Sequence, residues 1–201
     1  LRSFLLKVLG GLTLTTVSLL ASPAQAQRVD KPMISLGGSL LNLSASGSDY
    51  QSKDKNLWGY AGDVSVAYNR QVRIRFAGMT DPTFEYGHLS AGVNYHLNGL
   101  SFESQTIDEA VMITRVPNIS VYGGVDISLS RIAVTLDKRD GTGSSAVNGA
   151  LFGPTLRAGG LMILSPRLFA TGEAFATYGI SSTISSAAIG LTFGLSYVID
   201  N

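Results

Sequence analysis

The sequence predicts an all-β chain: a transmembrane, antiparallel, up-and-down β-barrel of eight strands. Three observations predict it. Beyond residue 26 the chain alternates large apolar with small or polar residues over most of its length. That is the period of a strand, whose side chains point in turn to opposite faces. The same stretch holds no run of 18 apolar residues, so no transmembrane helix is available. Only 14% of the 201 residues are charged, against roughly 25% in ordinary soluble domains, and mean hydropathy is +0.23.

The first element is a leader. Arg2 and Lys7 precede an apolar core over 8–20, and Ala24-Gln25-Ala26 follows with small residues flanking a cleavage site. Residues 1–26 are therefore expected to be a cleaved signal peptide, and 27–201 the barrel. Removing Arg2 and Lys7 from 15 basic residues leaves 13 against 14 acidic ones, a net charge of −1. Such a balance points to neither nucleic acid nor disorder. With no cysteine in the chain, a disulfide scaffold, a thiolate metal site and a thiol nucleophile are all excluded.

The strands follow in order. Segment 33–45 alternates with an interruption at Gly37-Gly38, read as a bulge. In 58–69, Trp58, Tyr60, Val64, Val66 and Tyr68 oppose Gly59, Ala61, Asp63, Ser65 and Asn69. In 72–79, Val72, Ile74 and Phe76 oppose Arg73, Arg75 and Ala77. Leu89, Val93 and Tyr95 oppose His88, Ser90, Asn94 and His96. From 119 to 130, Val121, Val125, Ile127 and Leu129 oppose Ser120, Asp126, Ser128 and Ser130. Segments 150–164 and 168–178 fit less cleanly. The last, 188–199, sets Leu191, Phe193, Leu195 and Tyr197 against Gly190, Thr192, Gly194 and Ser196. Segment 98–118 has three readings. Asn98-Gly99 and two short strands (100–105 and 110–116) would give a ten-stranded barrel. Thr106-x-x-Glu109 would instead cap a short helix. A long turn within an eight-stranded barrel is the reading adopted.

Alternation alone does not say which face meets solvent. The lysines beyond the leader (Lys31, Lys53, Lys55, Lys138) fall in the N-terminal lead or in expected loops, whereas a wet sheet carries Lys on its strands. The polar faces are mostly Gly, Ser, Ala and Thr, which suits the narrow interior of eight strands. The apolar faces are therefore expected to turn outward, into lipid. With the N-terminus inside, outer loops are expected at 46–56, 80–86, 137–148 and 179–185. Inner turns are expected at 69–71, 98–118 and 165–167, the usual asymmetry of such barrels. Aromatic residues then form two girdles: Tyr68, Tyr95 and Tyr197 at the inner ends, and Trp58, Tyr60, Phe84, Tyr86, Phe152 and Tyr178 at the outer.

On the leader, the alternating segments and the terminal strand AIGLTFGLSYVI (188–199), the chain resembles the small eight-stranded outer-membrane barrels of the outer-membrane protein A and X types. PNISVYGGVD (117–126) is similar to the fifth strand of that family. The resemblance implies a bacterial outer-membrane location and assembly by the barrel-insertion machinery, which reads the last strand. Family members usually end in an aromatic residue; this chain ends Tyr-Val-Ile-Asp-Asn.

Inward-facing charges are the remaining candidates. Arg73, Arg75 and Arg157 share the interior with Asp63, Asp126 and Glu173. Facing Arg73 and Arg75 into lipid would cost about 2–4 kcal/mol each at the midplane, so a lumenal salt-bridge network is expected. His88-Leu-Ser90 resembles the His-x-Ser of outer-membrane lipid A deacylases, but Ala91 follows where that family has Asn, and both residues point inward. His88 and His96 are too far apart on one strand to chelate a single metal. No cofactor, metal or catalytic site is expected. The functional expectation is a non-enzymatic structural barrel, monomeric, with surface loops that serve envelope integrity or contact. A small gated channel is the second reading, and a soluble secreted or periplasmic ligand-binding barrel the third.

Overall fold

The structure is a computed structural model, and it describes residues 31–69, 71–97, 103–106, 112–115, 119–165 and 167–199. Among the described residues ten strands form: β1 (Met33–Gly47), β2 (Tyr50–Ala67), β3 (Val72–Thr80), β4 (Tyr86–His96), β5 (Glu103–Thr106), β6 (Met112–Arg115), β7 (Ile119–Asp137), β8 (Ser144–Ser165), β9 (Leu168–Ile180) and β10 (Ile184–Val198). Eight of them close into an antiparallel up-and-down barrel, in the order β1-β10-β9-β8-β7-β4-β3-β2. Closure runs from Met33↔Val198 to Gly47↔Ile184, so the backbone donors and acceptors of the first and last strands meet each other along the whole seam.

The two short strands β5 and β6 pair only with each other. The ten-stranded barrel is thereby corrected: this hairpin sits in the β4–β7 connection and adds nothing to the wall. Thr106 ends β5, while Asn98-Gly99 and Glu109 lie outside the described residues, as does the leader, 1–26.

Gly37 and Gly38 do not form a bulge. Both β1 ladders run through them in register, and the irregularity falls between Ala45 and Gly47. Glycine is required there for approach: a Cβ at Gly37 would overlap the carbonyl oxygen of Phe193 across the closing seam.

Expected loops turn out to be strand. The link between β1 and β2 is only 48–49, and that between β7 and β8 only 138–143. Lys53 and Lys55 accordingly lie on β2, not in a loop. On β1 and β7 the reason is a change of phase along the strand. On β7, Val125, Ile127 and Leu129 point outward and Ser128 and Ser130 inward. Two residues later Arg131 points outward while Ile132 and Leu136, each 0% exposed, point inward. On β1, Leu36 and Leu40 face out, but further along Leu41, Leu43 and Ala45 face in beside outward Asn42 and Ser44. The loop-side ends of β1 and β7 are thus polar outside and apolar inside, whereas the middle of the barrel is the reverse.

The β3–β4 hairpin stops short, at 81–85. Above it β2 and β7, separated lower down by two strands, meet across the gap. Tyr50 bridges Lys138, Lys53 Nζ donates to the Thr135 carbonyl at 2.9 Å, and Lys55 pairs with Glu85 at the hairpin tip.

Candidate functional site

Eight strands leave an interior that side chains fill, and the described lumen is layered. Its middle is ionic. Arg75 reaches Glu173 Oε2 with Nη1 (2.6 Å) and Asp63 Oδ2 with Nη2 (3.1 Å). Arg157 reaches Glu173 Oε2 with Nη1 (3.3 Å) and pairs with Asp126 through Nη2. The Tyr122 hydroxyl donates to Glu173 Oε2 at 2.8 Å, and Ser90 Oγ to Asp126 Oδ2 at 2.8 Å. One carboxylate oxygen of Glu173 therefore gathers two arginines and a phenol. The space for these large groups comes from inward glycines: a Cβ at Gly92 would overlap the Asp126 carboxylate, and one at Gly159 would meet the Tyr122 ring at 2.7 Å.

Arg73 is held differently from the other two arginines. Its Nε donates to Ser65 Oγ (3.1 Å), and its Nη2 to the carbonyls of Ser65 (3.0 Å) and Lys31 (3.1 Å). The expected three-by-three pairing is thus two arginines on three carboxylates, with Arg73 anchored on backbone and hydroxyl oxygens near the terminal end.

Above the ions, Ser128, Thr155 and Thr177 share hydroxyl hydrogen bonds of 2.8–3.2 Å. His88 Nδ1 lies 3.0 Å from Ser130 Oγ and 3.3 Å from the Tyr86 hydroxyl, while His96 Nδ1 lies 3.0 Å from Ser120 Oγ. His88 and Ser90 are both buried in the lumen with different partners, which is not the arrangement of a nucleophile and its base.

Apolar clusters close both ends. Leu43, Leu57, Tyr86, Ile132, Leu136 and Leu151 belong to the larger one, on the loop side. Met33, Leu161, Phe169 and Val198 form the smaller, beside Tyr122 at the terminal end. Tyr86, expected in the outer girdle, is fully buried in the plug. Its parity on β4 is that of His88 and Ser90, so it points inward. Between the clusters are cavities of about 50 and 40 Å³, room for a few water molecules.

The outer wall is apolar across its middle. Leu36, Phe76, Leu89, Val125, Ile127, Leu191 and Phe193 are all exposed, Leu36 by 70%. A contiguous apolar belt of this kind is foreign to soluble monomers. Of the girdle residues, Tyr68, Tyr95 and Tyr197 are exposed toward the terminal end, and Trp58, Tyr60, Phe152 and Tyr178 toward the loop end. Trp58 and Tyr60 contact edge to face, with centroids 5.9 Å apart.

Among solved structures, the outer membrane protein OprG of Pseudomonas aeruginosa superposes with a TM-score of 0.53 at 11% identity, covering 88% of this chain and 99% of that one. The fold is that of a small outer-membrane β-barrel. The N-terminal barrel domain of Pseudomonas aeruginosa OprF (TM-score 0.47, 14% identity, 84% and 99% covered) and Neisserial surface protein A (0.49, 13%, 83% and 97%) are also similar. No protein-family model and no curated protein matches the sequence. Within this barrel fold, sequence reasoning missed Tyr122 and the plug. The signal for the plug was present: the alternation changes phase near Leu41, Leu57 and Ile132.

Proposed function

We propose that the chain is a sealed, non-enzymatic barrel of the bacterial outer membrane, serving envelope integrity or surface contact. The observation that carries this reading is the double inversion of the wall. Where the exterior is apolar the interior is ionic and paired, and where β1 and β7 turn polar outside they turn apolar inside. Only a bilayer rewards the first arrangement, and only water the second. The soluble ligand-binding alternative would require the exposed apolar belt to face water. Against the channel reading stand the ion pairs spanning the lumen and the apolar clusters at both ends. The barrel acts as a monomer in this proposal, since closure pairs the first and last strands across the apolar belt, and it reaches the membrane through the barrel-insertion machinery.

Two measurements test the proposal. The mature chain should require detergent, migrate on gels in a heat-modifiable manner and float with lipid vesicles. In planar bilayers both the wild type and Glu173→Ala should be electrically silent. Stable monodispersity in plain buffer would refute the membrane placement, and wild-type conductance would replace the sealed barrel with a channel.

A further inference from the structure

Resting on that membrane placement, we infer that the wall carries a lipid-binding furrow across β2, β3, β4 and β7, which holds one acyl chain of an anionic lipid with its phosphate against Arg131. The furrow is built from cross-strand rows. In one row the ladder sets Tyr60 beside Thr80, Thr80 beside Gly87, Gly87 beside Arg131 and Arg131 beside Ala150. In the next, Gly62 stands beside Gly78, Gly78 beside Leu89, Leu89 beside Leu129 and Leu129 beside Phe152. Gly62, Gly78 and Gly87 therefore floor a trough, narrowed by the side chains of Leu36 over Gly62 and Leu89 over Gly78 and open over Gly87. Tyr60 walls it on one side, and Leu89 and Leu129 on the other. At Gly87 a Cβ would meet nothing within 4 Å. The groove is shallow and open to the membrane, with about 840 Å³ of space along it.

A trough in a face turned to hydrocarbon cannot be filled by water, and left empty it forfeits the dispersion contacts of its lining. A flexible acyl chain restores them. The head end of the trough sets the charge of the lipid. Arg131 and Asn148 line it, with Arg131 Nε donating to Asn148 Oδ1 at 3.4 Å, and no carboxylate is among the lining residues. Arg131 stands one outward position above Leu129, where the apolar belt ends. That is the level of lipid phosphates, and a guanidinium binds phosphate with paired hydrogen bonds.

The test uses the barrel extracted from membranes in mild detergent. Native mass spectrometry is run with phosphatidylglycerol and with phosphatidylcholine of identical acyl chains. One phosphatidylglycerol should be retained per barrel in preference to phosphatidylcholine. Gly87→Phe fills the trough and should abolish that adduct, with Gly87→Leu as the smaller filler should the ring impair folding. Arg131→Gln should reduce the preference for phosphatidylglycerol at least tenfold, and Ala176→Phe, on the wall at β9, should change nothing. Equal retention of the two lipids would overturn the inference, as would an adduct that survives Gly87→Phe and Gly87→Leu, or a protein dimer in place of a lipid adduct. Vesicle flotation of the same samples separates the two levels of argument. A barrel that floats but retains no lipid refutes the furrow alone, whereas one that does not float refutes the membrane placement beneath it.

Discussion

Replacing Glu173 with Gln removes one negative charge from a lumen in which three arginines face three carboxylates. The amide keeps the volume and one acceptor oxygen, so packing is preserved and the loss is electrostatic. Glu173 Oε2 accepts from Arg75 at 2.6 Å, Tyr122 at 2.8 Å and Arg157 at 3.3 Å. Removing one partner of a buried pair costs about 3–5 kcal/mol. Here Arg75 keeps Asp63 at 3.1 Å, and Arg157 keeps Asp126, so the lower end, about 3 kcal/mol, is expected. The assay is equilibrium urea unfolding of the barrel in lipid vesicles. It is followed through Trp58, the single tryptophan of the chain, whose ring leaves the outer wall on unfolding. In the Arg75→Gln/Glu173→Gln double variant one cation goes with its partner, so the total loss should fall short of the sum by about 1–3 kcal/mol. A single-variant loss below about 0.5 kcal/mol, the range of ordinary surface changes, together with additivity in the double, would refute the network as a coupled unit.

Three further outcomes are expected in the same unfolding assay. Val125→Arg, on the exposed middle of β7, should cost about 2–4 kcal/mol, while Phe84→Arg in the 81–85 hairpin should cost little; equal effects would contradict the placement of the apolar belt. Leu136→Ala, fully buried in the plug, should cost about 2–5 kcal/mol; an effect no larger than that of outward-facing Leu164→Ala would show the plug to be loose. Asp81 gives the pH dependence. Burial works to raise its pKa, but hydrogen bonds from the Thr83 hydroxyl and from the Tyr86 and Thr83 amides outweigh that and hold it below the ordinary value. A depressed folded pKa contributes stability above the unfolded value, about pH 4, and that contribution is lost as pH falls through the lower folded value. The wild type should therefore exceed Asp81→Asn in urea midpoint at pH 6, with the gap closing below about pH 4; a gap that persists in acid would show that the carboxylate charge is irrelevant.

What the sequence disclosed depended on where each residue sits in the wall. Across the middle, one face is apolar and the other ionic or small, so the outward placement of Val64, Val66, Ile74 and Phe76, and the inward placement of Arg73 and Arg75, follow from period two alone. Strand extent was less legible. Residues 51–56 are polar on both faces and read as a loop, yet β2 pairs with β1 through them, as at Lys53↔Ala45, and on to Tyr50↔Gly47. Proximity to a strand end does not make Tyr86 a girdle residue, because its parity with His88 places it inside. Partner choice within the lumen was out of reach. Arg75 and Glu173 stand 98 residues apart, and their meeting depends on barrel shear, which no local pattern encodes. The same holds for Arg73, whose anchor is the Lys31 carbonyl rather than an acid.

The change of phase between Leu129 and Arg131 on β7 works like the draught mark on a hull. How deep the barrel rides is written in the side chains of continuous strands and not in the hairpins that join them. The hairpins can therefore lengthen, shorten or be exchanged while the vessel keeps its trim. Conversely, giving Arg131 and Asn148 greasy replacements would move the mark along the strand by one outward position, about 6–7 Å, and the whole body would settle lower without any change of shape.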